Sequence, residues 1–342
     1  MSLRPNPDEP RGPVFLGALR AALGKMPLWV FCWSVPLLFA SVPGLAWKSW
    51  FEETLDSRYP AGELMASMNE VFRFDHRTDL EALRRGGGGV MAALAFAILF
   101  FNAYCAGGWL QVALERTSGA SMRRFMWGGA RYFWRFVRVL VISLATLSVL
   151  SWVFYGWPWK ALMSVLFGAE DGNLEVLLSE STAVTLEFLR AGGYAIFFAL
   201  ILVWGDYTRA RMALHNARSA AWAGLCTWGL ILWHPLRTLR PFLLILILEV
   251  AVVFGFGRWS WGVNSGLTSE TTFGTLVLLF ALGQVPLLWQ AICRGARYFA
   301  AVRVSRAIVP PLAQPDPWAS RVGGPGGPQY PIDNTDDYGV SC

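Results

Sequence analysis

Six stretches of this chain are long and apolar enough to cross a lipid bilayer, and no other feature restricts its fold so strongly. They cover residues 27–47, 89–113, 133–155, 191–210, 238–260 and 272–293. The hydrocarbon layer takes about 20 residues of helix, and a helix satisfies its own backbone hydrogen bonds where no water can. The expected fold class is therefore all-α, a polytopic membrane bundle of six spans. The fourth stretch is the shortest, bracketed by Arg190 and Asp206, and is expected to continue as one helix at both ends. Composition agrees: 15% of the residues are charged and 55% hydrophobic, with 18 Trp and 23 Phe. A soluble domain carries closer to about a quarter of its residues as charges, so lipid is the outer solvent here.

Charge placement orients the chain. Of the 29 lysines and arginines, twenty lie in residues 1–26, 115–138, 205–240 and 294–342, and the other nine in the alternate segments. By the positive-inside rule the first set is cytoplasmic, which puts both termini of this multi-pass chain there. The net charge of +6 is thus a matter of topology, and it does not point to nucleic acid. The first stretch follows Arg20 and Lys25 and runs on to Trp47 and Trp50, which reads as an uncleaved signal anchor.

Three segments precede the odd-numbered spans with similar character: 14–25 (VFLGALRAALGK), 122–135 (MRRFMWGGARYFWR) and 220–234 (AAWAGLCTWGLILWH). Each mixes helical apolar spacing with small and basic residues, as a helix lying in the inner interface does. The even spans run out into related ends, 108–116, 205–214 and 295–303. The spacing predicts three hairpin units within a membrane domain over 14–308. The outer loops 48–88 and 156–190 are expected to be partly helical. In the first, Leu64, Met65, Met68, Val71 and Phe72 share a face, Thr78 and Glu81 have capping-box spacing, and the glycines 86–89 break the chain. In the second, two short helices at 157–167 and 181–190 flank a turn at 170–173. Residues 1–13 and the Pro- and Gly-rich residues 309–342 are expected to be disordered, the latter as a cytoplasmic tail suited to a protein partner.

Glu249 is the polar residue with the strongest claim to a function. It lies within PFLLILILEVAVVFGF, about 12 Å along the helix from Pro241 and near the bilayer centre on this reading. A carboxylate there costs about 2.5 to 3.5 kcal/mol, so it needs a partner or a proton. Asn102 and Gln284 fall at similar depths in other spans and complete a candidate polar cluster. On this reading the arginines in the spans sit near their ends, and no intramembrane lysine or arginine is at hand as a counter-ion. Two roles stay open, a proton- or cation-responsive site and a neutral acid that bonds helices together. Asp206, beside Arg209 and Arg211, reads as a salt bridge at a helix end.

On the inner side, Arg123, Arg124, Arg131, Arg135 and Arg138 alternate with aromatic residues that include Trp134. Arginine charge with rings at headgroup level suits anionic lipid, and also serves topology alone. The cysteines Cys32, Cys105, Cys226, Cys293 and Cys342 are scattered singly, with neither disulfide nor zinc spacing. His76, His215 and His234 lie in different segments, so no metal or cofactor is expected. No Ser-His-Asp, HExxH or paired-carboxylate arrangement argues for an enzyme.

In residues 205–224 (GDYTRARMALHNARSAAWAG) and 233–241 (WHPLRTLRP) the chain resembles a broad group of uncharacterised bacterial six-span inner-membrane proteins. It is also similar in layout to the membrane domain attached to some glycerophosphodiester phosphodiesterases, without their soluble catalytic domain. The resemblance implies a bacterial inner-membrane location and a fold, and it carries no catalytic residues. The leading expectation is a non-enzymatic scaffold or accessory protein for a membrane complex or anionic lipid. The alternative is a small transporter or permease subunit using Glu249, and an enzyme acting on lipid is a third, weaker reading.

Overall fold

The computed structural model describes residues 13–55, 74–115, 121–167, 180–264 and 273–309. Among these, nine helices and no strand occur: α1 (Val14–Leu23), α2 (Met26–Leu55), α3 (Arg77–Leu114), α4 (Ser121–Tyr155), α5 (Trp157–Phe167), α6 (Glu180–Leu214), α7 (Ala220–Trp233), α8 (Pro235–Asn264) and α9 (Phe273–Ile308). The chain is an all-α bundle in which six helices, α2, α3, α4, α6, α8 and α9, are long and apolar enough to span a membrane. The expected termini 1–13 and 309–342, apart from Pro13 and Val309, lie outside the described residues, as do the face from Leu64 to Phe72 and the 170–173 turn.

Several local expectations are corrected. Helix α3 runs unbroken through the glycines 86–89. Glycine disfavours a helix by only about 1 kcal/mol per residue, less than the cost of leaving a backbone amide unpaired in lipid. Thr78 falls inside α3 and does not cap it, while Glu81 takes Arg77 at 3.2 Å and Arg85 at 3.1 Å. Of the three interfacial segments, two form separate helices and the middle one is continuous with its span in α4. The difference lies in the breakers. α1 stops at Gly24 just before Pro27, and α7 stops at His234 before Pro235, whereas nothing near Arg135 interrupts α4. The 157–167 helix is present as α5, but residues 181–190 are the first turns of α6, whose 35 residues extend the fourth span in both directions.

The helices divide between two compact units. The first comprises Met1–Val112, Arg116–Ala130 and Pro241–Ala300, and the second Ala113–Glu115, Arg131–Arg240 and Ala301–Cys342. In the first unit, alanines let helices approach closely. Ala18 and Ala22 of α1 meet Ile245 of α8 and Ile292, Cys293, Ala296 and Ala300 of α9, with Phe15, Leu19, Trp29, Trp289 and Phe299 around them. The buried residues of α3 fall at its last turns, among them Ala103, Ala106, Trp109 and Leu110, while Phe96 and Phe100 are exposed farther back. Large exposed apolar side chains along span-length helices are what a lipid solvent permits.

α3 crosses the start of α4 at four glycines. A Cβ on Gly107 would lie 2.7 Å from the Gly128 carbonyl oxygen, and one on Gly108 would meet the Phe125 ring. Tyr104 donates to the Met126 carbonyl at 2.9 Å across the same crossing. Because the obstacle to Gly107 is backbone, a methyl can be admitted only by moving a helix. Gly107→Ala is therefore expected to destabilise the protein by about 1 to 3 kcal/mol, read as a lowered melting temperature in detergent. An unchanged melting temperature would mean that this crossing does not depend on close backbone approach.

In the second unit α6 turns back into α7. Trp204 donates to the Gly224 carbonyl at 2.9 Å and stacks on Trp228, and Ser219 caps α7 by accepting from the Trp222 N–H. Asn216 in the connection has φ of 50°, a left-handed conformation that asparagine tolerates. At the other end of the unit α5 returns onto α6 through Trp159, Met163 and Leu186. Tyr155 lies under the Arg190 guanidinium at 5.0 Å.

Candidate functional site

Glu249 does have a counter-ion. Arg297 Nη1 donates to Glu249 Oε2 at 3.1 Å, with the two side chains only 16% and 15% exposed. The sequence reading placed Arg297 beyond the sixth span. In the structure α9 continues to Ile308, and its register against α8 brings Arg297 beside the carboxylate. The expected cluster is rearranged in consequence. Asn102 of α3 accepts from Arg294 of α9, one helical turn before Arg297. Gln284 lies ten residues before Arg294, about 15 Å along the helix, and accepts from Trp33 Nε1 at 3.1 Å. Asn102 and Glu249 therefore each meet one of two arginines a turn apart on α9, and Gln284 belongs to a separate contact.

Neither arginine was among the expected site residues. Their signal in the sequence was RGARYFAAV (294–302), where Arg294 and Arg297 stand three apart in an otherwise mostly apolar and small-residue run that continues the helix. Three buried thiols, Cys32, Cys105 and Cys293, belong to the same unit. Burying an ion pair gives little net stability, but once built it cannot lose one partner cheaply.

The inner arginines divide by direction. Arg131, Trp134 and Arg138 are exposed and spaced i, i+3, i+7, so they share one face of α4 in the second unit, with Trp134 70% exposed. Arg123 is also exposed. Arg124 is buried, and Arg135 turns inward to Asn216, donating to Oδ1 at 2.6 Å. Only part of the predicted arginine set therefore faces outward, because α4 must also bury one side.

Asp206 pairs with Arg209 at 3.1 Å, as the spacing predicted, while Arg211 reaches toward the Cys226 carbonyl at 3.5 Å. Tyr207 donates to the Thr238 carbonyl at 2.9 Å. Tyr207, Arg211, His215, Thr227, Leu230, Ser305 and Val309 line a recess of about 220 Å³ including its open mouth. Burial, and after it the nearby Arg211 charge, hold the His215 imidazole below the ordinary histidine range. Thr227 donates to the Ala223 carbonyl and Tyr207 to that of Thr238, so both hydroxyl protons are already committed.

No protein-family model, curated protein or solved structure matches this chain. The resemblance carried by residues 205–224 and 233–241 gains no relative from these comparisons.

Proposed function

We propose that this is a non-enzymatic membrane protein that gathers anionic lipid at its arginine-rich side, as a scaffold or accessory to a membrane complex. The observation that carries the reading is the exposed Arg131, Trp134 and Arg138 face of α4. A ring at headgroup depth anchors the helix, and the arginines on either side of it attract lipid phosphate. The excess of lysine and arginine in alternate loops supports a cytoplasmic position for this face and for both termini of a bacterial inner-membrane protein. The Pro-rich residues 309–342 supply, by composition, a segment for a protein partner.

The test is reconstitution into nanodiscs of mixed phosphatidylcholine and phosphatidylglycerol, with the composition of the protein-associated lipid measured against the bulk. Wild-type protein is expected to enrich phosphatidylglycerol. Arg131→Gln with Arg138→Gln is expected to cut that preference by about fivefold per arginine removed, corresponding to about 1 kcal/mol each. Equal enrichment in the variant would remove the basis for the reading. A transporter or permease subunit working through Glu249 is the second reading, supported by the partial exposure of that carboxylate within a span-length helix. Its mark would be pH-dependent solute uptake into proteoliposomes that Glu249→Gln abolishes.

A further inference from the structure

The first unit carries more arginine than carboxylate at one place. Arg294 and Arg297 project from α9 one turn apart, Glu249 answers Arg297, and the partner of Arg294 among the described residues is the neutral Asn102 oxygen. No carboxylate among the described residues forms an ion pair with Arg294. Glu249 is committed to Arg297, so the charge of Arg294 is left without an ion pair among the described residues, within helices apolar enough to span a membrane. Such a charge is expensive there unless an anion meets it.

The chemistry of that anion follows from what is left over. A guanidinium has five N–H donors in a planar fork, and one amide oxygen occupies a minority of them. The remaining edge matches two oxygens of a phosphate or carboxylate, the geometry for which arginine is preferred. Arg294 is half-buried, so part of the residue reaches the protein surface. The Glu249 carboxylate close by limits the charge that can be added. A group bearing one negative charge completes neutrality, whereas a dianion would be opposed by Glu249.

We propose that Arg294, positioned by Asn102 and flanked by the pair of Glu249 and Arg297, binds a phosphate group carrying a single negative charge, from a phospholipid headgroup or as free phosphate. The proposal rests on the lipid reading above and narrows it to one site. It differs from the α4 face in kind: it holds a single ligand between helices, and the α4 face enriches a surrounding layer.

Native mass spectrometry of the full chain, extracted from vesicles of phosphatidylcholine and phosphatidylglycerol and progressively delipidated, reads the site directly. Wild-type protein is expected to keep one phosphatidylglycerol, and Arg294→Gln to weaken its retention by at least about tenfold, the loss of one charge-assisted contact. Adding inorganic phosphate separates the sources. Retention unaffected by millimolar phosphate identifies the lipid, and displacement of the lipid by phosphate, or a phosphate adduct in its place, identifies the free ion. Arg131→Gln with Arg138→Gln should leave the single retained lipid in place. Should Arg294→Gln fail to fold, Arg294→Lys decides, since it keeps the charge without the fork and must lower retention several-fold. Undiminished retention in Arg294→Gln or in Arg294→Lys, or a wild-type protein that holds neither ligand, overturns the site. If the site fails while the α4 variant still loses enrichment, the broader lipid reading stands; if neither variant has an effect, both fall.

Discussion

Replacing Glu249 by leucine is expected to destabilise the folded protein by about 3 to 5 kcal/mol, because Arg297 would then keep its charge between helices with its carboxylate gone. The damage should be largely repaired by a second change. Glu249→Leu with Arg297→Met removes both charges and leaves apolar groups of similar volume, an exchange that is often neutral or stabilising. Glu249→Gln should fall between, since its amide oxygen still accepts from Arg297. Thermal unfolding of wild type, Glu249→Leu, Arg297→Met and the double variant in one detergent makes a double-mutant cycle. If the double variant melts no higher than Glu249→Leu, the pair is not what holds α8 to α9. The same cycle bears on transport: a carboxylate whose main role is to neutralise Arg297 can be removed together with it without loss of function.

A comparable loss, about 3 to 5 kcal/mol, is expected for Trp109→Ala. Trp109 is fully buried near the end of α3, edge-on to Phe125 at 6.0 Å and to Phe299 at 6.1 Å. Gly295 of α9 passes so near that a Cβ there would lie 2.9 Å from the indole ring. One side chain thus joins α3, α4 and α9 within the first unit, and truncating it leaves a cavity that backbone at van der Waals distance cannot readily fill. Trp109→Phe should lose less, because an aromatic ring still occupies part of the space. The comparison is made by melting temperature together with near-ultraviolet circular dichroism. An alanine variant that melts like wild type would show that the surrounding helices close over the gap. In the sequence Trp109 is one of 18 tryptophans and nothing local sets it apart.

The legible part of the site was Glu249, because a carboxylate in an apolar run is conspicuous in one dimension. Asn102 was conspicuous for the same reason, and in the structure it accepts from Arg294. Arg294 and Arg297 were passed over because hydropathy ends a span at the first cluster of charge. A packed helix does not end there, and residues just past the apolar run can be drawn beside a neighbour that is offset along its axis. The opposite error occurred at Gln284, where similar depth suggested company with Glu249. Depth specifies one coordinate, and the rotation of α9 about its axis turns Gln284 to Trp33.

The inner arginines show the same division. Their position before the third span was visible, but which of them face outward depends on how α4 is seated. Arg131 and Arg138 share the exposed side with Trp134, whereas Arg135, between them in sequence, is carried round to Asn216 in the connection after α6. The glycine crossing of α3 and α4 was likewise hidden. Gly107, Gly108, Gly128 and Gly129 read as small residues in two apolar segments, and only their meeting gives them a purpose.

By itself the sequence determined that the chain is helical and that six segments are long and apolar enough to span a membrane. Those properties are local, since each follows from a run of side chains and from the need of a backbone to satisfy its own hydrogen bonds. The tertiary structure decided which charges meet. Glu249 and Arg297 are 48 residues apart, and Asn102 and Arg294 are 192 apart. Their partnership depends on the relative register and rotation of helices set by alanine, glycine and tryptophan contacts between distant segments, and periodicity within one segment carries no information about either.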